Sequence, residues 1–511
     1  MLPILDLPLV IDIALYYCLY RTFKWLLSPY IFPRFRHIPG PTSQSWFKGN
    51  LGQLFNAKGL PFHQQLVDRF GGMVKVYGFF GDEQLYVSDP HALQSIIVKD
   101  QDAFEETAVF IDTNRVIFGP GLVSTTGDVH KKQRKIVAPV FSVPQLKKVT
   151  PIVYEIAEKL ADVLTREVHA SRTTKGSSVL DMSEWVSRVA LETIGRTVLG
   201  YSFDPLDSPH NNPYTSAIKE LIPTLFSLSV LRQFAPFLSR LGTPWLRRKI
   251  VDWTPNKAIQ KIKNMSDIMD NVEEDKDIIS VLLRANEKAA VGEQLSESEL
   301  TGQMTVLIFG AQDTTSSALS RILHLLAMNP HIQDKVREEI TAAFADVDRL
   351  GYDSISELAW LDAVVKETLR FNSDTADASV IVPAGTTLFV GIAGANRLES
   401  VWGVDAKTWK PERWLSDRNP ATMHLPGIYS GMLSFFGGSR SCIGYRFALM
   451  EMKIILATLL RRFKFSSTND EIIWNLSQII SPSVRRPSTI NDSGFEEEKG
   501  LPMVVELTTE E

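Results

Sequence analysis

The stretch Phe435-Phe436-Gly437-Gly438-Ser439-Arg440-Ser441-Cys442-Ile443-Gly444 runs directly into Tyr445-Arg446-Phe447-Ala448-Leu449-Met450-Glu451-Met452-Lys453, a helical pattern. A cysteine just ahead of a helix meets unpaired N–H groups and the positive end of the helix dipole, which favour a thiolate over a thiol. A thiolate is a good iron ligand. Gly438 and Gly444 let the backbone approach a flat group closely, and Arg440 offers a planar fork suited to a carboxylate. Cys18 is the only other cysteine, too few for a disulfide framework, so the body reads as cytosolic and reduced. A lone cysteine is more often an inert buried residue than a ligand; here its neighbours decide.

Read as F-x-x-G-x-R-x-C-x-G, these residues resemble the haem-binding loop of the cytochrome P450 family at every fixed position. The resemblance implies a mainly α fold with a smaller β portion, and heme b whose iron takes an axial thiolate from Cys442. Phe435, Gly438, Arg440 and Gly444 would contact the cofactor, Arg440 through a propionate. A thiolate ligand pushes electron density toward iron and favours O–O cleavage.

Three further segments fit the resemblance. Ser296 and Glu299 form a capping box ahead of a long apolar run to about Met328, and Asn329 with Pro330 starts a new helix. Within the first helix lies Gly310-Ala311-Gln312-Asp313-Thr314-Thr315. On its own, Thr314 bonding back to a carbonyl four residues earlier and Asp313 facing water would account for these residues. The resemblance implies instead an oxygen-binding segment, with a local helix distortion and with Asp313 and Thr314 relaying protons. Ala311 stands where the family usually has glycine, so a milder distortion is expected. Glu367 and Arg370, three apart on the helical stretch Leu358 to Arg370, read alone as a surface ion pair. With Trp409-Lys410-Pro411-Glu412-Arg413-Trp414 downstream, the resemblance implies a buried triad of Glu367, Arg370 and Arg413 beneath the cofactor. Gly127 to Arg134 reads alone as a solvated basic helix. By resemblance, His130 stands for the family's usual tryptophan, and both His130 and Arg134 reach haem propionates.

The family arrangement also implies a pocket drawn from Gln101 to Thr126, the region Tyr214 to Trp253, the helix face near Met304 and Phe309, and a wall from Leu476 to Ser481. Phe104, Phe110, Phe118, Phe226 and Phe234 fall in these stretches; all of this supports an apolar ligand and no more. Val484 to Gly500, with Glu496-Glu497-Glu498, reads as a solvated loop.

At the other end, Met1 to Tyr20 is mostly apolar, and a spanning helix needs about 20 such residues. Asp12 counts against a span, since an aspartate at a helix centre costs roughly 2.5–3.5 kcal/mol. Arg21, Lys24, Arg34 and Arg36 follow. The expectation is a single-pass N-terminal membrane anchor at 1–33, an amphipathic segment on the membrane surface being the alternative. A stiff proline-rich hinge at 34–45 contains Ile38-Pro39-Gly40-Pro41, and 46–511 forms one haem-thiolate catalytic domain. The body would sit on the cytosolic side of the endoplasmic reticulum. A net charge of −5 leaves no broad basic field, so nucleic acid is no expected partner. The expected partners are the membrane, an apolar small molecule and an NADPH-cytochrome P450 reductase, docking near Lys410, Arg446 and Lys453.

The chain departs from the family after Arg370. Where the family has a proline-rich turn and an arginine that reaches a propionate, Phe371 to Ile381 leads at once to Pro383-Ala384-Gly385-Thr386 and contains no arginine. A segment is missing, whether by nature or through a faulty gene model, and weaker haem retention is expected. The reading is a monooxygenase acting on an apolar molecule in fungal secondary metabolism, terpenoid or polyketide. The competing readings are a catalytically impaired haem-binding protein and a peroxide-rearranging relative.

Overall fold

The computed structural model describes residues 7–31, 33–175, 178–207, 228–234, 249, 283, 286–287, 289, 292–370, 382–416, 425–477, 479–487 and 495–508. Phe226, most of Tyr214 to Trp253 and the shortened segment 371–381 lie outside the described residues.

The longer helices are α1 (Leu7–Ile31), α2 (Leu60–Phe70), α3 (Ala108–Phe118), α4 (Gly127–Val137), α5 (Val143–Lys175), α6 (Met182–Ile194), α7 (Glu297–Met328), α8 (Pro330–Ala343), α9 (Ala359–Arg370) and α10 (Tyr445–Arg462). The strands are β1 (Met73–Tyr77), β2 (Glu83–Val87), β3 (Val179–Asp181), β4 (Leu388–Val390), β5 (Phe463–Ser467), β6 (Glu471–Ser477), β7 (Ile479–Pro487), β8 (Phe495–Lys499) and β9 (Pro502–Leu507). They form three small sheets, ordered β1-β2-β4, β3-β9-β5 and β6-β7-β8. The fold is mainly α with a smaller β portion, as expected.

The central helix α7 begins where the sequence says it should. Ser296 N–H donates to Glu299 Oε2 at 2.9 Å, and Glu299 N–H returns a bond to Ser296 Oγ at 3.4 Å. Leu319, Ile322, Leu323 and Leu326 then pack with Val186 and Val189 of α6 and Ile454, Leu456 and Leu460 of α10 in one apolar core. Two expectations fail on this helix. Asn329 does not cap α8 through its side chain, which instead donates to the Leu325 carbonyl at 2.8 Å. Nor is α7 distorted at Gly310 to Thr315; it stays α-helical throughout, in keeping with the high helix propensity of Ala311.

A second core, around Val74, Val76, Leu85, Leu93 and Trp402, takes in Phe35 and Ile38 from the proline-rich stretch. The Pro39 carbonyl accepts from Lys75 N–H at 2.8 Å, so this stretch is docked on the outer edge of β1. From Ile11 to Lys24, α1 is exposed. Among the described residues no helix is long and apolar enough to cross a membrane; Asp12, Arg21 and Lys24 interrupt the apolar run of α1.

The loop expected from Val484 to Gly500 is a correction. Much of it is strand, with β7 and β8 paired antiparallel from Ser483↔Lys499 to Pro487↔Phe495. The acidic run that suggested solvation sits opposite arginines. Arg485 pairs with Glu471 and Glu497, and Arg486 with Glu498; opposite charges across a strand pair stabilise the ladder.

Candidate active site

Cys442 lies two residues before the N-cap of α10, Gly444. Its N–H donates to the Phe435 carbonyl at 2.9 Å, closing the loop into a hairpin-like cradle. The glycine at 438 is required by the loop itself. Its φ is +58°, and a Cβ there would lie 2.0 Å from the Ile97 carbonyl oxygen; no approach to a flat ligand is needed to explain it. Arg134, from α4, clasps the loop from the side: Nη1 donates to the Ser441 carbonyl at 2.7 Å and Nη2 to Ser441 Oγ at 2.9 Å.

The Cys442 thiol is surrounded by protein on most sides, yet the residue keeps accessible surface. Burial pushes the Cys442 thiol up, against the pull of the Gly444 N–H and the Arg134 guanidinium. The expected stabilisation of the thiolate by N–H groups is therefore present, but desolvation outweighs it in the polypeptide by itself.

Arg440 donates to the Thr125 carbonyl at 3.0 Å and to Glu105 Oε1 at 2.5 Å. His130 is 5% exposed. Burial, then the repulsion of Arg440 and Arg134, lowers its pKa to about 4. At neutral pH His130 is thus an uncharged imidazole, and the cationic character of this corner rests on Arg134 and Arg440.

On α7, Thr314 is exposed and Asp313 half-buried. The Thr314 hydroxyl donates to the Gly310 carbonyl at 2.5 Å, which is the back-bond the sequence allowed. A Cβ placed on Gly310 would meet nothing within 4 Å. Open space therefore lies beside Gly310, one turn before Thr314. Phe309 stacks on Phe118 at 4.8 Å between centroids, while Met304 is buried in the core. Among the expected pocket aromatics, Phe234 packs against Phe79 at 5.0 Å. The expected wall Leu476 to Ser481 meets α7 where the Ser317 hydroxyl donates to the Ile480 carbonyl.

The structure brings Glu367, Arg370 and Arg413 together. Arg370 Nε and Nη2 donate to the two Glu367 oxygens at 2.8 and 2.7 Å, and both side chains are fully buried. Arg413 Nε stands 3.5 Å from Glu367 Oε1 and makes a closer bond, 2.6 Å, with Asp405. Trp414 Nε1 and Lys410 N–H also donate to Glu367. Arg370 further donates to the carbonyls of Asn396 and Ala406, tying α9 to the segment that leads toward the cysteine loop.

Two cations of the expected docking patch fit less well. Lys453 is buried and bonded to Asp362 at 2.7 Å, because its position on α10 faces α9. Lys410 is half exposed but paired with Asp405 at 2.9 Å. Arg446 is exposed.

A family model described as cytochrome P450 matches residues 38–486. The chain belongs to the cytochrome P450 family. Cytochrome P450 monooxygenase 91 of Postia placenta is 38% identical over 515 residues, covering 90% of this chain and 94% of its own. Cytochrome P450 monooxygenase 212 of the same fungus is 39% identical over 517 residues, covering 90% and 94%. Ganoderic acid synthetase CYP5150L8 of Ganoderma lucidum is 34% identical over 509 residues, covering 89% and 92%. This is a fungal P450 monooxygenase. An alignment of 515 positions that draws on 90% of 511 residues also means that the relative carries residues this P450 lacks within the matched span.

The family implies a haem-thiolate iron centre, a redox partner that supplies electrons and a hydrophobic substrate. The residues present fit that group. Cys442 keeps accessible surface, and beside it burial and then the Arg440 charge lower the pKa of Arg134, whose side chain donates to the neutral Ser441 oxygens, while Arg440 is paired with Glu105. Such a pair favours carboxylates such as propionates. Sequence reasoning missed Glu451, a lone acid in the apolar run of α10, and Arg321 with Trp474; the signal was a charged residue inside an otherwise apolar helical period.

Proposed function

We propose that Cys442 ligates the iron of heme b, with Arg134 and Arg440 holding its propionates, neutral His130 contributing a hydrogen bond, and Phe435, Gly438 and Gly444 shaping the loop. When bound, the haem supplies reductive activation of dioxygen and transfer of one oxygen atom to substrate. The polypeptide orients and protonates. Because the Thr314 hydroxyl proton is committed to the Gly310 carbonyl, Thr314 Oγ1 offers lone pairs to the accessible side and holds a proton donor there by accepting its bond. The Asp313 carboxyl, the adjacent acid, renews that proton. Phe118 and Phe309 keep the neighbouring surface apolar. Glu367, Arg370 and Arg413 fix the segment beneath the loop.

The substrate is an apolar small molecule of secondary metabolism, terpenoid in character; the resemblance to a ganoderic acid synthetase supports this over a polyketide. Electrons come from an NADPH-cytochrome P450 reductase, with Arg446 as the exposed cation of its docking face. The exposed tyrosines and aliphatic residues of α1 hold the enzyme at a membrane, the catalytic body facing the cytosol at the endoplasmic reticulum. Residues 1–33 act as the anchor, 34–45 as its proline-rich connection and 46–511 as the catalytic domain.

The observation that carries this reading is Cys442, accessible in the loop ahead of α10 and framed by the Arg134–Ser441 clasp. Reduced protein treated with carbon monoxide should show the thiolate-haem absorption band, and Cys442→Ser should abolish it together with turnover. Reductase-dependent product should carry label from dioxygen. Label from water alone, or product formed from a peroxide without reductase, overturns the monooxygenase assignment.

A further inference from the structure

Gly310, Thr314, Ser317, Arg321 and His324 recur every three or four residues along α7 and so share one face. Each keeps accessible surface, whereas Gln312, Thr315, Leu319, Ile322 and Leu323 are buried. The β6–β7 hairpin lies along this accessible face. It is stitched there by the Ser317 hydroxyl and the Ile480 carbonyl. Further along, the Arg321 guanidinium lies 4.5 Å from the centre of the Trp474 ring, and Trp474 Nε1 donates to His324 Nδ1 at 3.2 Å.

Arg321 is the unsettled member of this group. Burial alone lowers its pKa, to about 10, so it is charged at neutral pH, and no described carboxylate lies within ion-pair range. His324, held to a pKa of about 4 by burial and then by Arg321, is neutral. With Nδ1 occupied as an acceptor, its Nε2 carries the proton and is a donor. The corner thus presents one desolvated guanidinium fork, stacked on an indole, beside a neutral N–H. A desolvated cation without a counter-charge is costly, and a single planar fork pairs bidentately with one carboxylate. A phosphate dianion would leave excess charge in the same place.

We propose that Arg321, backed by Trp474 and His324, is a carboxylate-binding subsite that receives the acid end of an amphipathic substrate whose apolar body reaches toward Thr314. Seven helical residues set Arg321 roughly 10 Å from Thr314 along the axis, so the oxidised carbon lies about that far from the acid. The proposal rests on the monooxygenase reading above.

The test titrates the full-length holoenzyme with dodecanoic acid and with methyl dodecanoate, following the substrate-induced shift of the haem spectrum and, independently, the heat of binding. The unaltered protein should bind the acid about tenfold tighter than the ester, as a charge-assisted bidentate pair requires. Arg321→Gln should bring the two affinities together, and Arg321→Lys should restore part of the difference. Haem content and the carbon monoxide band should stay as in the unaltered protein. Equal affinity for acid and ester in the unaltered protein, or a preference that survives in Arg321→Gln, overturns the subsite. The acid–ester comparison on unaltered protein decides the matter even if a variant does not fold. Loss of the carbon monoxide band from the unaltered protein would instead strike the haem-thiolate reading.

Discussion

Glu451 of α10 lies against Thr315 of α7, the neighbour of Thr314, and is completely buried. Thr193 of α6 touches it from the other side, but its hydroxyl proton goes to the Val189 carbonyl at 2.8 Å. Neither Glu451 oxygen receives a hydrogen bond of good geometry. An ionised carboxylate so placed has no adequate donor, whereas a protonated carboxyl can donate to a threonine oxygen. Burial accordingly raises the Glu451 pKa well above its ordinary 4.5, and the residue joins α6, α7 and α10 as a neutral acid.

The folded protein therefore holds a proton on Glu451 that the unfolded chain releases above its ordinary pKa. Stability from this group is complete below that value and declines as pH rises toward the folded pKa, by about 1.4 kcal/mol per unit. Glu451→Gln keeps the shape and removes the titration. Denaturant unfolding between about pH 5 and 8 should show the variant gaining on the unaltered protein as pH rises. Parallel stability curves would mean that Glu451 is ionised in the fold.

Removing one partner of the Glu367–Arg370 pair leaves a desolvated charge, at a cost of about 3–5 kcal/mol. Arg370→Ala should lower the thermal midpoint sharply and yield protein with little haem. Arg413→Ala should cost less, because Glu367 keeps its two bonds from Arg370 and those from Trp414 and Lys410. Equal losses in the two variants, by calorimetry and haem absorbance, would contradict this ranking.

The Arg134–Ser441 clasp gives a further expectation. Each hydrogen bond to a charged group contributes about 1.5–3 kcal/mol, and lysine cannot reproduce a two-pronged clasp. Arg134→Lys should therefore release haem to an apomyoglobin acceptor at least about tenfold faster. With no arginine in the shortened segment, the unaltered protein itself should release haem faster than longer relatives. Release as slow as theirs would remove that inference.

Much of this site is legible in sequence because its parts are local. The capping box at Ser296 and Glu299, the cysteine ahead of a helix and the Glu367–Arg370 spacing all report on residues within one or two turns. What the sequence hides is set by distant chain. The Ile97 carbonyl, far upstream, explains Gly438; Asp362 on a neighbouring helix takes Lys453 out of the docking face; and arginines on β7 turn an acidic run into β8. Trp474 is likewise far from Arg321 in sequence, so their stacking shows only in the fold.

Thr314 and Asp313 should differ in how they fail. Thr314→Ala removes the oxygen that accepts from the proton donor and leaves the Gly310 carbonyl without its bond from the hydroxyl. Electrons then still enter, but protons arrive out of place, so NADPH consumption should continue while product per NADPH falls about tenfold or more, with peroxide released instead. Asp313→Asn keeps Thr314 and its bond to Gly310 but cannot renew the proton. Here both NADPH consumption and product should slow together, by about 10²-fold if the acid acts directly, and the solvent isotope effect should rise. Thr314→Ser retains the hydroxyl and should restore most of the coupling. Identical coupling in the alanine and serine variants would show that the hydroxyl holds no proton donor, leaving Thr314 only the structural back-bond to Gly310.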